Sequence, residues 1–147
     1  MKQWLSTKLY RGENMRIMPF KLSEGDIIPD ALIEKIKEEG LRNGFVTGNG
    51  GLASAEIGFY NPLSREYEII RLEGSDREIL EVGSIQGNYM IKPNGEVSLH
   101  LHLVLGAKKS AYTGHLIRGI VKPLLEVFLV EVDSDLSKVF THRWSTV

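Results

Sequence analysis

The chain contains no cysteine, which excludes disulfides, thiolate nucleophiles and a Cys-ligated zinc finger. An excess of one charge sign is missing too: 18 Lys and Arg stand against 19 Asp and Glu, a formal net charge of -1. Such a balance creates no strong overall field to draw in nucleic acid or a membrane surface. No apolar run approaches the roughly 20 residues that cross a bilayer as a helix. Residues 1–10 lack the apolar core of a signal peptide. The expectation is a cytoplasmic protein. Its 147 residues, 42% hydrophobic and 25% charged, suit one globular domain that buries about two-thirds of the surface its unfolded chain exposes.

Apolar periodicity predicts many strands and one helix. Ile28, Leu32, Ile33 and Ile36 fall on a single stripe of a 3.6-residue period, with Lys35, Glu38 and Glu39 outside it. Asp26 is the predicted cap, Pro29 suits the first turn and Gly40 the stop. The helix thus covers about residues 27–39. Residues 15–22 predict a strand, held to a sheet edge or bulge by Pro19, which has no N–H to donate. Residues 45–47 and 53–60 read as strands joined by a turn at Gly48-Asn49-Gly50-Gly51. Further strands fall at 67–72, 78–86 and 97–105, then a polar loop at 106–114. A long apolar strand region at 116–132 is interrupted by Lys122-Pro123. Residues 1–14 read as an N-terminal arm and 15–147 as a single domain. The sum is an α+β fold: a mostly antiparallel β-sheet with one main amphipathic helix packed on it.

The chemistry concentrates in three of the four histidines: His100 and His102 in Ser-Leu-His-Leu-His-Leu, and His115 in Thr-Gly-His-Leu. Alternation along a strand places Leu99, Leu101, Leu103 and Leu105 on one face. His100 and His102 share the other, about 6.6–6.8 Å apart. Two imidazoles so placed can converge on one ion, and His115 supplies a third nitrogen once the chain folds back. Three such donors leave one position of a tetrahedral ion open. The same pair also suits a polar or subunit-facing side of a strand.

The remaining candidates are single residues. Glu126 lies in Leu124-Leu125-Glu126-Val127-Phe128, where a carboxylate calls for a partner. That partner is Arg118 or another cation, or the N–H of a ligand histidine oriented from behind. Lys108 and Lys109 form a small basic site between the histidines, and His142 reads as a surface residue. The glycine run lacks the Lys-Ser/Thr of a phosphate loop and precedes a strand, so it reads as a hairpin turn. A hydrolase would hold zinc on His100, His102 and His115, with Glu126 or Glu56 as base.

Five segments occur in a telling order. They are Glu24-Gly25-Asp26-Ile27; Val46-Thr47-Gly48-Asn49-Gly50-Gly51-Leu52 with Ala55-Glu56-Ile57-Gly58; Glu78-Ile79-Leu80-Glu81-Val82-Gly83-Ser84-Ile85; His100-Leu101-His102; and Gly114-His115-Leu116 followed by Glu126-Val127. Together they resemble, over roughly residues 16–132, the PPC domain, the "plants and prokaryotes conserved" domain, which stands alone in archaea and bacteria and is joined to AT-hooks in plants. The resemblance implies an α+β fold assembled as a homotrimer, with relatives described as metal-containing or as candidate DNA-binding proteins. It implies His100, His102 and His115 as metal ligands, and zinc as the ion because all three donors are imidazoles. It implies a non-enzymatic module that works through partners. The chain lacks the Arg-Gly-Arg-Pro hook of the plant members, so contact with DNA would fall to Lys108, Lys109 or arginines such as Arg11 and Arg16, clustered by assembly.

Overall fold

The computed structural model of the chain describes residues 15–145; the predicted arm, residues 1–14, lies outside them. Seven strands and one α-helix follow in the order β1 (Ile17–Ser23), β2 (Ile27–Ile28), α1 (Asp30–Glu38), β3 (Asn43–Asn61), β4 (Glu66–Glu73), β5 (Leu80–Ile91), β6 (Val97–Ala107) and β7 (Ser110–Glu131). All of their pairings are antiparallel. The sheet runs β1-β7-β6-β5-β3-β4, and β3 also pairs with β7. Strands β3, β5, β6 and β7 therefore close a ring around the core. The α+β class predicted from sequence is the one observed. No helix among the described residues is long and apolar enough to cross a membrane.

Alternation sets the inside and outside of this ring. Leu101, Leu103 and Leu105 of β6 are buried, while His102 and Val104 between them are exposed. The inward leucines meet Ile85, Val127 and Leu129 in one hydrophobic cluster. Burying each such side chain is worth about 1.5–3 kcal/mol. Helix α1 adds Leu32 and Ile36, both fully buried, to the same cluster. Gly40, at φ +63, ends the helix, and the Leu41 N–H returns to the Ile36 carbonyl at 3.0 Å. The predicted cap needs correction. Asp26 accepts from the Ser23 N–H at 2.7 Å, closing the turn before β2, and Pro29 occupies the N-cap with no side-chain bond. Ile27 and Ile28, predicted as helix, pair with Ile120 and Gly119 of β7 instead.

Two predicted breaks are absent. The run Gly48-Asn49-Gly50-Gly51 is not a turn but the middle of the 19-residue strand β3. Its glycines admit the backbone of β7, since a Cβ at Gly48 would overlap the Glu126 carbonyl oxygen. At Gly50, φ is +147 and a Cβ would sit 2.8 Å from Leu125 Cα. Register shifts between Gly48 and Gly50 bend the strand there. The predicted loop at 106–114 is likewise ladder. Ala107 pairs with Ser110, so the connection shrinks to the two-residue turn Lys108-Lys109. Pro19 sits in β1, which pairs only with β7 at a sheet edge, as its missing donor requires.

Gly50→Ala lowers unfolding stability by about 2–3 kcal/mol, through backbone overlap and an unfavourable φ. Gly95, at φ +89 with nothing within 4 Å, is the control: Gly95→Ala costs about 1 kcal/mol from conformation alone. Urea midpoints of the two variants measure the difference.

Candidate metal centre

The three histidines meet on the outer face of the ring. His100 and His102 project from β6, and the β6–β7 ladder places His115 directly opposite His102. Ring centroids lie 5.1 Å apart for His100 and His102, 4.9 Å for His100 and His115, and 5.6 Å for His102 and His115. One nitrogen from each falls within 4.8 Å of the others. A tetrahedral ion bound at about 2.0–2.1 Å needs its ligand nitrogens about 3.3 Å apart. Small rotations of the side chains close that difference.

Burial and hydrogen bonding mark two of these nitrogens. His100 Nε2 and His115 Nδ1 are buried and without a hydrogen-bond partner. Leaving such a group unsatisfied costs about 1–3 kcal/mol, so folded chains avoid it unless something else takes the lone pair. The donor set, three imidazole nitrogens, fits a divalent cation in that role. Burial, then the neighbouring His115 and His102, push the pKa of His100 down to about 4. Burial and His102 lower that of His115 as well. Both rings are therefore neutral at pH 7, the form that ligates metal.

The surroundings hold the rings in place. Tyr67 of β4 stacks on His115 at 5.0 Å with 27° between planes, and Tyr60 meets Tyr67 edge-on at 5.7 Å. Gly58 faces both His115 and the hairpin; a Cβ there would lie 2.8 Å from Tyr67 Cδ1. Its lack of a side chain lets the tyrosine ring reach the histidine. On the other side the chain returns after β7. It passes through short 3-10 helices at Leu136–Lys138 and Thr141–Arg143 and sets Arg143 against the histidine strand. Arg143 Nε donates to Ser98 Oγ at 3.0 Å, Nη2 to the Ser98 carbonyl at 2.7 Å, and Nη1 to Asn88 Oδ1. Asn88 is the ladder partner of His100.

A family model described as the Plants and Prokaryotes Conserved (PCC) domain matches residues 10–133. The chain belongs to that family. Among solved structures, a plant- and prokaryote-conserved (PPC) protein of Pyrococcus horikoshii is 30% identical with a TM-score of 0.74, covering 82% of this chain and 80% of that one. A metal-containing protein of Archaeoglobus fulgidus is 28% identical with a TM-score of 0.73, covering 82% and 81%. A candidate DNA-binding protein of Bacteroides thetaiotaomicron is 26% identical with a TM-score of 0.72, covering 86% and 84%. No curated protein matches.

The other predicted residues of this PCC chain fall outside the three-histidine group. Glu126 is exposed, opposite Lys21 and Asn49 in the ladders, and eleven residues along β7 from His115, about 36 Å of extended strand. The predicted ion pair with Arg118 is not formed: Glu126 has no salt bridge among the described residues. Its side chain points to water while Leu125 and Val127 take the inside, so it needs no buried partner. Glu56 is held 3.7 Å from Arg71. Lys108 and Lys109 are exposed at the turn, where the Lys108 N–H donates to Glu78 Oε1 at 3.0 Å. Arg16 pairs with Glu131 at 3.5 Å, and Arg11 lies outside the described residues. His142 is exposed. Sequence reasoning missed Arg143, because no local pattern reveals a contact across 45 residues.

Without metal, the chain loses stability as the pH falls from about 6.5 to about 4. In that window the unfolded His100 binds a proton that the folded one refuses. Above the window this group changes nothing, and below it no further loss arises from it. Urea midpoints of chelator-treated wild-type and His100→Gln protein isolate the effect: the difference between them varies through the window and is flat on either side.

Proposed function

We propose that residues 15–147 form a metal-binding module of the PCC family. It is non-enzymatic and assembles as a homotrimer. It holds one divalent transition ion per chain on His100, His102 and His115, and is DNA-associated or regulatory through protein partners. The observation that carries this is the meeting of three ligand nitrogens within 4.8 Å, two of them buried without a partner. Zinc is the ion that three neutral imidazoles suit best. When bound, it supplies an electrophilic centre with one open position. The metal-containing relative from Archaeoglobus fulgidus supports the same reading.

Self-association is supported by large apolar side chains on the outer face. Ile17, Phe45 and Phe128 are 56%, 45% and 45% exposed; Ile17 and Phe45 flank Val130 of β7 from its two sides, and Phe128 is two residues from it on the same strand. DNA association is supported by relatives described as candidate DNA-binding proteins. With a net charge of -1, phosphate contact runs through the exposed pair Lys108 and Lys109, which a trimer presents three times. A zinc hydrolase is disfavoured by the placement of its two candidate bases, Glu126 far along β7 and Glu56 paired to Arg71.

Protein purified without an affinity tag carries about one metal per chain by elemental analysis, and His100→Ala with His102→Ala removes it. Zinc at about 100 times its Kd raises the Tm of wild-type protein by roughly 5–10 °C and leaves the double variant unchanged. Metal retained in the double variant would refute the site. In a gel-shift at moderate salt, Lys108→Glu with Lys109→Glu abolishes any retardation of duplex DNA. Light scattering gives three chains per particle.

A further inference from the structure

The histidine face carries positive charge that its own residues do not balance. Three imidazoles are neutral donors, so a divalent ion among them keeps its full charge. Among the described residues no Asp or Glu joins the cluster. Arg143 adds a second cation. It is partly buried, yet all three of its hydrogen bonds end on neutral acceptors: Ser98 Oγ, the Ser98 carbonyl and Asn88 Oδ1. It forms no ion pair among the described residues. A guanidinium has five N–H donors, so two remain free. Ser98 is two residues from His100 on β6, and Asn88 is His100's ladder partner. Both cations therefore occupy one patch. Withdrawing a charge from water without a partner is costly, and an anionic ligand supplies the partner for both.

We propose that the three-histidine site and Arg143 together bind a small carboxylate, which ligates the ion at its open position and takes Arg143 as its countercharge. This rests on the metal assignment above. A carboxylate suits the patch better than a phosphate dianion. Phosphate sites are built from several converging N–H donors, whereas here a single guanidinium stands beside the ion. The rest of the ligand meets Tyr67, stacked on His115, and Val104, which is 44% exposed two residues beyond His102.

The test uses cobalt-loaded full-length protein, whose visible spectrum reports the ion's ligands, titrated with acetate and with acetamide as the neutral isostere. Acetate shifts the wild-type spectrum saturably and acetamide does not. Arg143→Gln weakens acetate at least about tenfold while cobalt stoichiometry stays the same. If Arg143→Gln fails to fold by circular dichroism, Asn88→Ala replaces it; freeing Nη1 weakens acetate by about two- to fivefold. Equal acetate affinity in the folded variant, or a wild-type spectrum indifferent to acetate, overturns the proposal and leaves the metal site standing. A wild-type chain that takes up no cobalt removes the metal assignment and this proposal together.

Discussion

The register of β6 against β7 is the constraint on which the site depends. It sets His102 opposite His115 and Leu103 opposite Gly114, so every imidazole faces outward while the leucines face the core. A slip of one residue would exchange those faces. Three features oppose that slip. The turn Lys108-Lys109 leaves no slack between the strands. Leu101, Leu103 and Leu105 are each at most 2% exposed and would be expelled to water. The ring formed by β3, β5, β6 and β7 would have to shift along two ladders at once. The geometry of the histidine cluster is thus set by hydrophobic burial one residue away.

Much of this was legible in the sequence, because alternation is a direct consequence of strand geometry. His100-Leu101-His102-Leu103 separates the two faces without reference to anything distant. The helix stripe was readable for the same reason, though its start was not. Ile28 follows the helical period, but the backbone groups of Ile27 and Ile28 found partners in β7. The glycine run misled because a glycine marks either a turn or a close approach of two backbones. Only the path of β7 decides between them, and that path is a tertiary fact. The polar stretch after Leu105 misled similarly. Exposed residues on the outer side of a hairpin resemble a loop in composition while their backbones remain fully paired.

Glu126 and Arg143 show the same limit from opposite directions. An isolated carboxylate among apolar residues suggests a buried charge, but a strand with one wet face accommodates it at no cost. An arginine near the end of the chain suggests a solvated tail, yet it is partly buried against β5 and β6. In each case what matters is which face of which strand the side chain meets. Local sequence gives the alternation but not the partner.

The arrangement also bears on what the site can do. Proton-transfer chemistry at a metal needs a base within hydrogen-bond reach of the reacting atom. The two carboxylates that sequence reasoning offered for this role are committed elsewhere, Glu56 to Arg71 and Glu126 to water far along β7. What remains beside the histidines is an aromatic ring, neutral amide and hydroxyl groups, and a guanidinium. Those groups can bind and orient a ligand. The face is also the outside of a closed ring of strands, open to other molecules and continuous with exposed Phe45 and Phe128. On the proposed reading, an ion held on such a surface would attract an anion through its uncompensated charge.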